Sequence, residues 1–415
     1  MPRVGWVKPE TDQRLSDHIS IGVLTRVFSP ELVDRIVSES GRTEKRHRLL
    51  PARVVVYYVL GLALFSDASY EEVMRMLVEG LSWAGGWATS WNVPTKAALF
   101  KARMRLGAQP LRELFSQSAT PLATKRTKGA WFKGRRIMSI DGTCLGIADT
   151  EANVATFGRP GSAREDRVAA FPQVRMVGVA ECATHAIVDA VVGKYCESEQ
   201  RLAAPLMEAL APDMLLLADR GLFSFTLWEK AKATGADLVW RTKSNHVLDV
   251  QRRLSDGSYL STIYPSTKDR RHDTSGLRVR VVEYSLGDGD GDGDGDGDGD
   301  GEDATYRLLT TMLSPKVASA NELAALYKER WEIETSLDEL KSHQRSPRVV
   351  LRSKMPDGVL QEVYAYLCVH YAIRWLMHCV ALSADADPDR LGFTCTLRAA
   401  RRSTASHLGF SPSGT

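Results

Sequence analysis

Two aspartates stand at the ends of apolar, strand-like runs: Asp141 closes IMSID and precedes Gly-Thr, and Asp219 closes LLLAD and precedes Arg-Gly. In α/β sheets the active site lies just beyond strand ends, where a side chain leaves the core yet stays rigidly held. An aspartate that simply opens a turn explains either residue alone at least as well. A third carboxylate, Glu334, sits in YKERWEIETSLDELKSH together with Tyr327, Arg330 and Lys341. At about 100° per residue these four polar residues fall within an arc of about 60°. They run along the margin of the apolar stripe Leu326, Ile333, Leu337 and Leu340, so the column is expected at a partly shielded edge held by packing. A carboxylate flanked by a cation, added to two strand-end aspartates, makes a candidate active site out of features that are ordinary one at a time.

The spacing of Tyr327, Arg330, Glu334 and Lys341 is that of the Y-(2)-R-(3)-E-(6)-K signature, and with it the chain resembles the insertion element four family of DDE transposases. IMSIDGT and LLLADRGLFS resemble that family's two acidic motifs. The likeness continues through residues 350–376 and through LTRVFSPELVDRIVSESGRTEKRHRLLPARVVVYYVLGLALF (24–65), covering most of residues 20–380.

The resemblance implies an α/β fold: an RNase H-like mixed-sheet catalytic core interrupted by a β-rich insertion, with an α-helical amino-terminal region. It implies that Asp141, Asp219 and Glu334 form a metal-binding catalytic triad. Three converging carboxylates need cations between them, and hard oxygen ligands suit Mg²⁺, with Mn²⁺ as a substitute. Two such ions about 3.5–4 Å apart serve the cutting of a phosphodiester. Asp141 is expected to bridge them, with Asp219 and Glu334 each completing one site. Arg330 can fork onto phosphate oxygens, Lys341 can supply a point charge and Tyr327 a hydroxyl. Between 341 and 354 stand Lys341, Arg345, Arg348, Arg352 and Lys354 with no acid, which reads as a DNA-backbone track leading into the site.

The partners implied are double-stranded DNA, as transposon ends and target, and a second copy of the chain in a synaptic complex. The leading function is a cut-and-paste transposase that nicks at terminal inverted repeats and uses the freed 3′-OH. The alternatives are an RNase H-like nuclease without strand transfer and a domesticated DNA-binding protein that keeps the fold as scaffold. The intact carboxylates argue against the last.

The elements that must position these groups follow from pattern. Residues 1–90 read as helices, with Ser29 as an N-cap, Gly41 as a stop, the apolar run Val54 to Phe65, and a helix opening near Ser66. Trp83, Trp87 and Trp91 fall in a Gly/Ser-rich connection. Residues 91–135 form a basic helical segment whose helix–break–helix is compatible with a DNA reader, although most such hairpins bind none. Residues 136–244 give three strands, helix, strand, helix, strand, the order of a mixed sheet and the first part of the core. Residues 245–318 are the β-rich insertion, 319–382 the helical completion of the core, and 383–415 a polar, basic tail.

Charge supports a polyanionic partner. The 415 residues carry 54 Lys+Arg and 51 Asp+Glu, a net of +3, but residues 287–303 hold nine acids in a Gly-Asp run and no base. Without that run the body carries +12, and between Lys96 and Arg136 there are eleven bases to one acid. The run itself reads as a solvated hairpin loop, since a calcium loop would need Glu where Asp303 stands. None of the six cysteines forms a C-x-x-C pair, which argues against a zinc knuckle and for a reduced cytoplasm. The resemblance implies a bacterial cytoplasm, with the protein at the nucleoid. The Val54 to Phe65 run is 12 residues, short of the roughly 20 that span a bilayer, so no membrane partner is expected. His370, Arg374 and His378 recur every four residues but lack a third ligand, so they are read as core rather than metal face.

Overall fold

The computed structural model describes residues 22–46, 50–84, 93–161, 170–243, 245–285, 305–345 and 350–406. Trp87, Trp91, Arg348 and the Gly-Asp run lie outside them.

Six helices open the chain: α1 (Val23–Val27), α2 (Pro30–Glu39), α3 (Ala52–Leu64), α4 (Tyr70–Ala84), α5 (Lys96–Leu106) and α6 (Gln109–Ser118). Ser29 caps α2 by accepting from Leu32 N, and Thr95 caps α5 by accepting from Ala98 N. The cap of α4 is Ser69, whose Oγ accepts from Glu72 N, rather than Ser66. Ser66 is buried and donates to the Gln344 carbonyl at 2.8 Å, so its hydroxyl is spent on a distant segment.

The sheet follows: β1 (Trp131–Phe132), β2 (Arg135–Gly146), α7 (Glu151–Phe157), β3 (Gln173–Glu181), β4 (Ala186–Lys194), α8 (Glu199–Met207), β5 (Met214–Ala218), α9 (Phe225–Ala233) and β6 (Asp237–Arg241). Then come β7 (Arg252–Arg253), β8 (Tyr259–Ile263), α10 (Thr267–His272), β9 (Leu277–Ser285) and β10 (Thr305–Thr310). β2, β5 and β6 run parallel to one another, β3 is antiparallel to β2, and β4, antiparallel to β3, runs in the direction of β2 again, which gives the expected mixed α/β sheet. The insertion does not stand apart: β10 pairs antiparallel with β6, and the order β4-β3-β2-β5-β6-β10-β9-β8-β7 makes one continuous sheet.

The chain ends in α11 (Ala320–Tyr327), α12 (Glu332–Asp338), α13 (Pro356–Ser383) and α14 (Phe393–Ser406). The last puts a helix inside the stretch 383–415, read from the sequence as a polar, basic tail. Phe393, Leu397 and Ala400 are buried against the helical core, and Arg401 Nε donates to the Leu64 carbonyl at 2.6 Å. By length and composition α13 would cross a membrane, but 78% of its apolar window is buried inside the protein. It is the central core helix, packing on α3, α6 and β4.

Strand alternation assigns the two sheet faces. On one face Met138, Ile140, Leu216 and Leu238 meet α8 and α9; on the other Ile137, Leu215, Leu217 and Val239 meet α11. A third apolar cluster joins the amino-terminal helices, α13 and the far ends of β2 and β3, so the helices within 23–77 share their core with residues 333–400. The α5–α6 hairpin is part of that core. Arg103 of α5 is buried and donates to Gln361 Oε1, Ser353 Oγ and the Gly358 carbonyl, which docks the pair against the start of α13, while Lys96, Lys101 and Arg105 of α5 stay exposed.

A buried polar cluster lies between α12, α13 and the β3–β4 turn. The Glu339 carboxylate accepts from Arg374 Nε at 2.9 Å and meets His370 Nε2 at 3.1 Å. Arg374 also donates to His185 Nδ1, which leaves the ring proton on Nε2, between the Glu332 and Asp389 carboxylates. His378 pairs with Thr127 Oγ1 at 2.9 Å. His370 and Arg374 therefore serve an ion pair, in keeping with the core reading.

Candidate active site

Register brings the two aspartates together. β2 and β5 are adjacent parallel strands with Ile140 opposite Ala218, so Asp141 and Asp219 are the next residue on each, side by side at roughly one strand spacing, ~4.8 Å. β5 stops at Ala218, and Asp219 is fixed from several directions. Its Oδ2 accepts from Gly221 N at 3.4 Å, its Oδ1 accepts from Tyr327 Oη at 3.5 Å, and its carbonyl accepts from Trp240 Nε1 at 2.8 Å. Arg241, which ends the next parallel strand, places a guanidinium nitrogen 3.9 Å from Oδ1.

The third carboxylate arrives on the segment that crosses the face bearing Ile137 and Ser139. After α11, residues Lys328–Trp331 tighten into a 3-10 turn, and Glu339–Gln344 widen into a π turn beyond α12. A uniform helix would have left the polar column at the margin. The tighter turn, near 120° per residue, instead swings Arg330 inward, where it is 2% exposed, and Tyr327 is 4% exposed. The Arg330 carbonyl accepts from Ser139 Oγ at 3.1 Å, tying the turn to β2. Its guanidinium donates to Glu334 Oε1 at 3.0 Å and lies 4.5 Å over the Trp331 ring.

Arg330 is the pivot of the site. Burial works against its charge, yet Tyr327, Asp219, Glu334 and Asp141 together outweigh burial and raise its pKa. Residues from β2, the β5 end and α12 thus converge on one guanidinium. Its Nε is buried with no hydrogen-bond partner. Asp141 shows the complementary imbalance: burial pushes its carboxyl up to about 7, against the pull of the Gly142 N–H at 2.7 Å and of Arg330, with Glu334 and Glu199 adding to the rise. Three carboxylates, with Arg330 among them and Arg241 beside Asp219, leave room for more positive charge, and their oxygen donors fit a hard divalent ion. A backbone close approach fits it too: Gly142 has no Cβ, and one added there would stand 2.7 Å from the Glu199 carboxyl carbon.

The other expected phosphate contacts divide. Lys341 and Lys354 are exposed. Arg345 is buried, and the Arg352 guanidinium donates to the Ala68 and Leu62 carbonyls and lies over the Tyr70 ring, stapling the amino-terminal helices to the core. Neither is presented to a passing phosphate, and Arg348 lies outside the described residues. Tyr327 is likewise turned inward, donating to the Ala218 carbonyl at 3.2 Å as well as to Asp219, so it orients an acid rather than offering an open hydroxyl.

Arg241, Trp240, Ser139 and Glu199 are site residues that the motif reading missed. Arg241 had a signal, as a polar residue closing a third apolar strand; Glu199 had only its place after a helix-capping Ser198. A cavity of about 440 Å³ opens beside the Asp219 loop, lined in part by Gln200, Arg220, Phe223, Lys243, His246 and Tyr264. A second, of about 380 Å³, is lined in part by Arg42, Lys45, Arg46 and Arg105.

Comparison with known proteins agrees with this arrangement. A family model described as "Transposase DDE domain" matches residues 132–371, and one described as "Insertion element 4 transposase N-terminal" matches residues 18–116. The chain is 28% identical over 352 residues to transposase InsG for insertion sequence element IS4 of Escherichia coli (strain K12), 84% of this chain and 75% of that protein. InsZ of the same strain is 22% identical over 263 residues, 62% of this chain and 85% of that protein. The piggyBac transposase synaptic complex with hairpin DNA aligns at a TM-score of 0.46 and 11% identity, over 93% of this chain and 80% of that one, a likeness too slight to carry weight.

Proposed function

The chain belongs to the DDE transposase family, in its insertion element 4 branch, and on that premise we propose how its residues divide the labour of cutting and joining DNA. The protein is a transposase, an enzyme of DNA cleavage and strand transfer that uses divalent metal.

Asp141, Asp219 and Glu334 are the residues that would hold two Mg²⁺ ions, or Mn²⁺ in their place. When bound, such ions neutralise charge on the scissile phosphate and lower the pKa of an attacking water or 3′-OH. The chain's own contribution is placement. The β2–β5 register fixes the two aspartates side by side, Tyr327 and Arg241 hold Asp219, and the 3-10 turn carries Arg330 and Glu334 onto the same point. Arg330 keeps the carboxylates apart in charge before the ions arrive. Lys341 and Lys354, on exposed backbone beyond α12, steer the phosphate chain. The substrates are the terminal inverted repeats of an insertion sequence and a target duplex, cut and pasted by a homodimer that pairs two ends in the bacterial cytoplasm at the nucleoid.

The observation that carries this reading is the convergence of Asp141, Asp219 and Glu334 on the Arg330 guanidinium from three separate elements. The experiment incubates the full chain with a labelled element end and Mg²⁺. Asp141→Asn and Glu334→Gln are expected to retain end binding by gel shift and to lose cleavage by a factor of about 10³ or more, of the order expected when a group essential to the transition state is removed. Cleavage at the wild-type rate by either variant overturns the triad.

A further inference from the structure

We propose that Glu199 is a fourth carboxylate of the metal centre, reaching it from the opposite face of the sheet. The inference rests on the triad reading above and extends its ligand set.

Alternation along β2 sends Asp141 to the face of α11 and α12, and Gly142 to the face of α8. Glu199 lies in the first turn of α8, and its side chain runs directly over the Gly142 Cα. A Cβ at residue 142 would stand 2.7 Å from Cδ and Oε1 of Glu199 and 2.9 Å from Cγ. Residue 142 is not among the positive-φ glycines, so its backbone conformation is open to any residue; what the glycine supplies is space. That space lets the Glu199 carboxylate lie against the strand backbone one residue from Asp141, at the point where β5 has already ended.

The neighbour of Glu199 fixes its position relative to the second aspartate. Gln200 Nε2 donates to the Gly221 and Phe223 carbonyls, both at 3.2 Å, which ties the first turn of α8 to the loop that follows Asp219. Glu199 is thereby held between the Asp141-Gly142 step and the Asp219 loop. Among the described residues no hydrogen bond or ion pair engages its carboxylate, while its neighbours Glu197 and Arg201 are engaged. A carboxylate with no protein cation of its own, held one residue from Asp141, is a further hard oxygen donor of the kind a divalent ion takes.

The test counts metal rather than turnover. Purified full-length protein is titrated with Mn²⁺ and free ion is read by electron paramagnetic resonance, with wild type, Glu199→Gln, Gly142→Ala, Asp141→Asn and Glu334→Gln side by side. The expected result is a loss of Mn²⁺ affinity of about tenfold or more in Glu199→Gln, a similar loss in Gly142→Ala, whose methyl displaces the carboxylate, and no further loss in the double variant. The metal-free Glu199→Gln protein is expected to melt at or above the wild-type temperature, because it sheds repulsion; a scaffold residue would lower it. Wild-type Mn²⁺ binding by Glu199→Gln alongside weakened Asp141→Asn and Glu334→Gln overturns this inference alone. Wild-type binding by all of them overturns the triad with it.

Discussion

Arg330 and Arg374 are both buried guanidiniums facing carboxylates, and α12 supplies acids to each surrounding, but the carboxylates around them are held differently. Around Arg374, the Glu339 carboxylate takes Arg374 and His370 directly, and Glu332 and Asp389 close on His185 Nε2. Around Arg330, the guanidinium is hydrogen-bonded to Glu334, while Asp141 and Asp219 act on it through charge, Arg241 stands 3.9 Å from Asp219, and burial pushes the Asp141 carboxyl up to about 7. The central carboxylate of the first cluster is thus spent on protein donors. In the second, Asp141 has no hydrogen bond or ion pair with another side chain among the described residues, which suits a centre built to receive cations. A buried arginine among acids does not by itself mark a site; a carboxylate left without a contacting cation does.

If the Arg374 cluster is scaffold, Glu339→Ala should destabilise the protein by about 3–5 kcal/mol, because it leaves a buried guanidinium uncompensated. Denaturant unfolding measures it, and a loss below about 1 kcal/mol would remove the contrast between the clusters.

The pH response should separate them next. A carboxyl whose proton is held more tightly in the folded chain contributes stability that is full below its unfolded value near 3.8 and lost as pH rises through its folded value, here about 7. Metal-free protein should therefore lose roughly 2–4 kcal/mol between pH 5 and 8 relative to Asp141→Asn, from a shift worth 1.36 kcal/mol per unit. Unfolding curves in chelator, repeated with saturating Mg²⁺, check it. Equal slopes for both proteins in chelator would mean that Asp141 is not the strained acid.

The smallest contrast concerns two basic residues of one stretch. Lys341→Ala should leave the melting temperature unchanged and lower the salt dependence of DNA binding by about one counterion. Arg352→Ala should do the reverse, lowering stability by about 1–3 kcal/mol through the orphaned Ala68 and Leu62 carbonyls while the salt slope stays put. Interchanged outcomes would show that burial misassigns them.

Much of this is legible in the sequence. Strand-end aspartates follow from apolar runs that stop, and caps such as Ser29 announce their helices, because both signals are local. The Tyr327–Lys341 spacing was legible as a motif, but its geometry was not. The inward turn of Arg330 depends on a 3-10 segment stabilised by Ser139, 191 residues upstream. Arg345 and Arg352 read as a basic track because linear charge does not reveal which side chains a neighbouring helix will claim. Likewise the insertion's strands were visible, but their joining to β6 was not, since sheet order is a long-range property. Glu199 escaped notice because its significance lies in the missing Cβ of a residue 57 positions away.

The shared core of the two ends of the chain has a consequence for synthesis. Helix α3, apolar on nearly all sides, packs chiefly against α13, and roughly 300 residues of translation separate them. At ribosomal rates of about 5–20 residues per second, that surface waits some 15–60 s for its partner. Glu334 likewise precedes the helix that secures its segment. A nascent chain therefore carries its amino-terminal helices unfinished and its Glu334 segment unsecured until α13 has emerged, so a product truncated before α13 is not expected to cut.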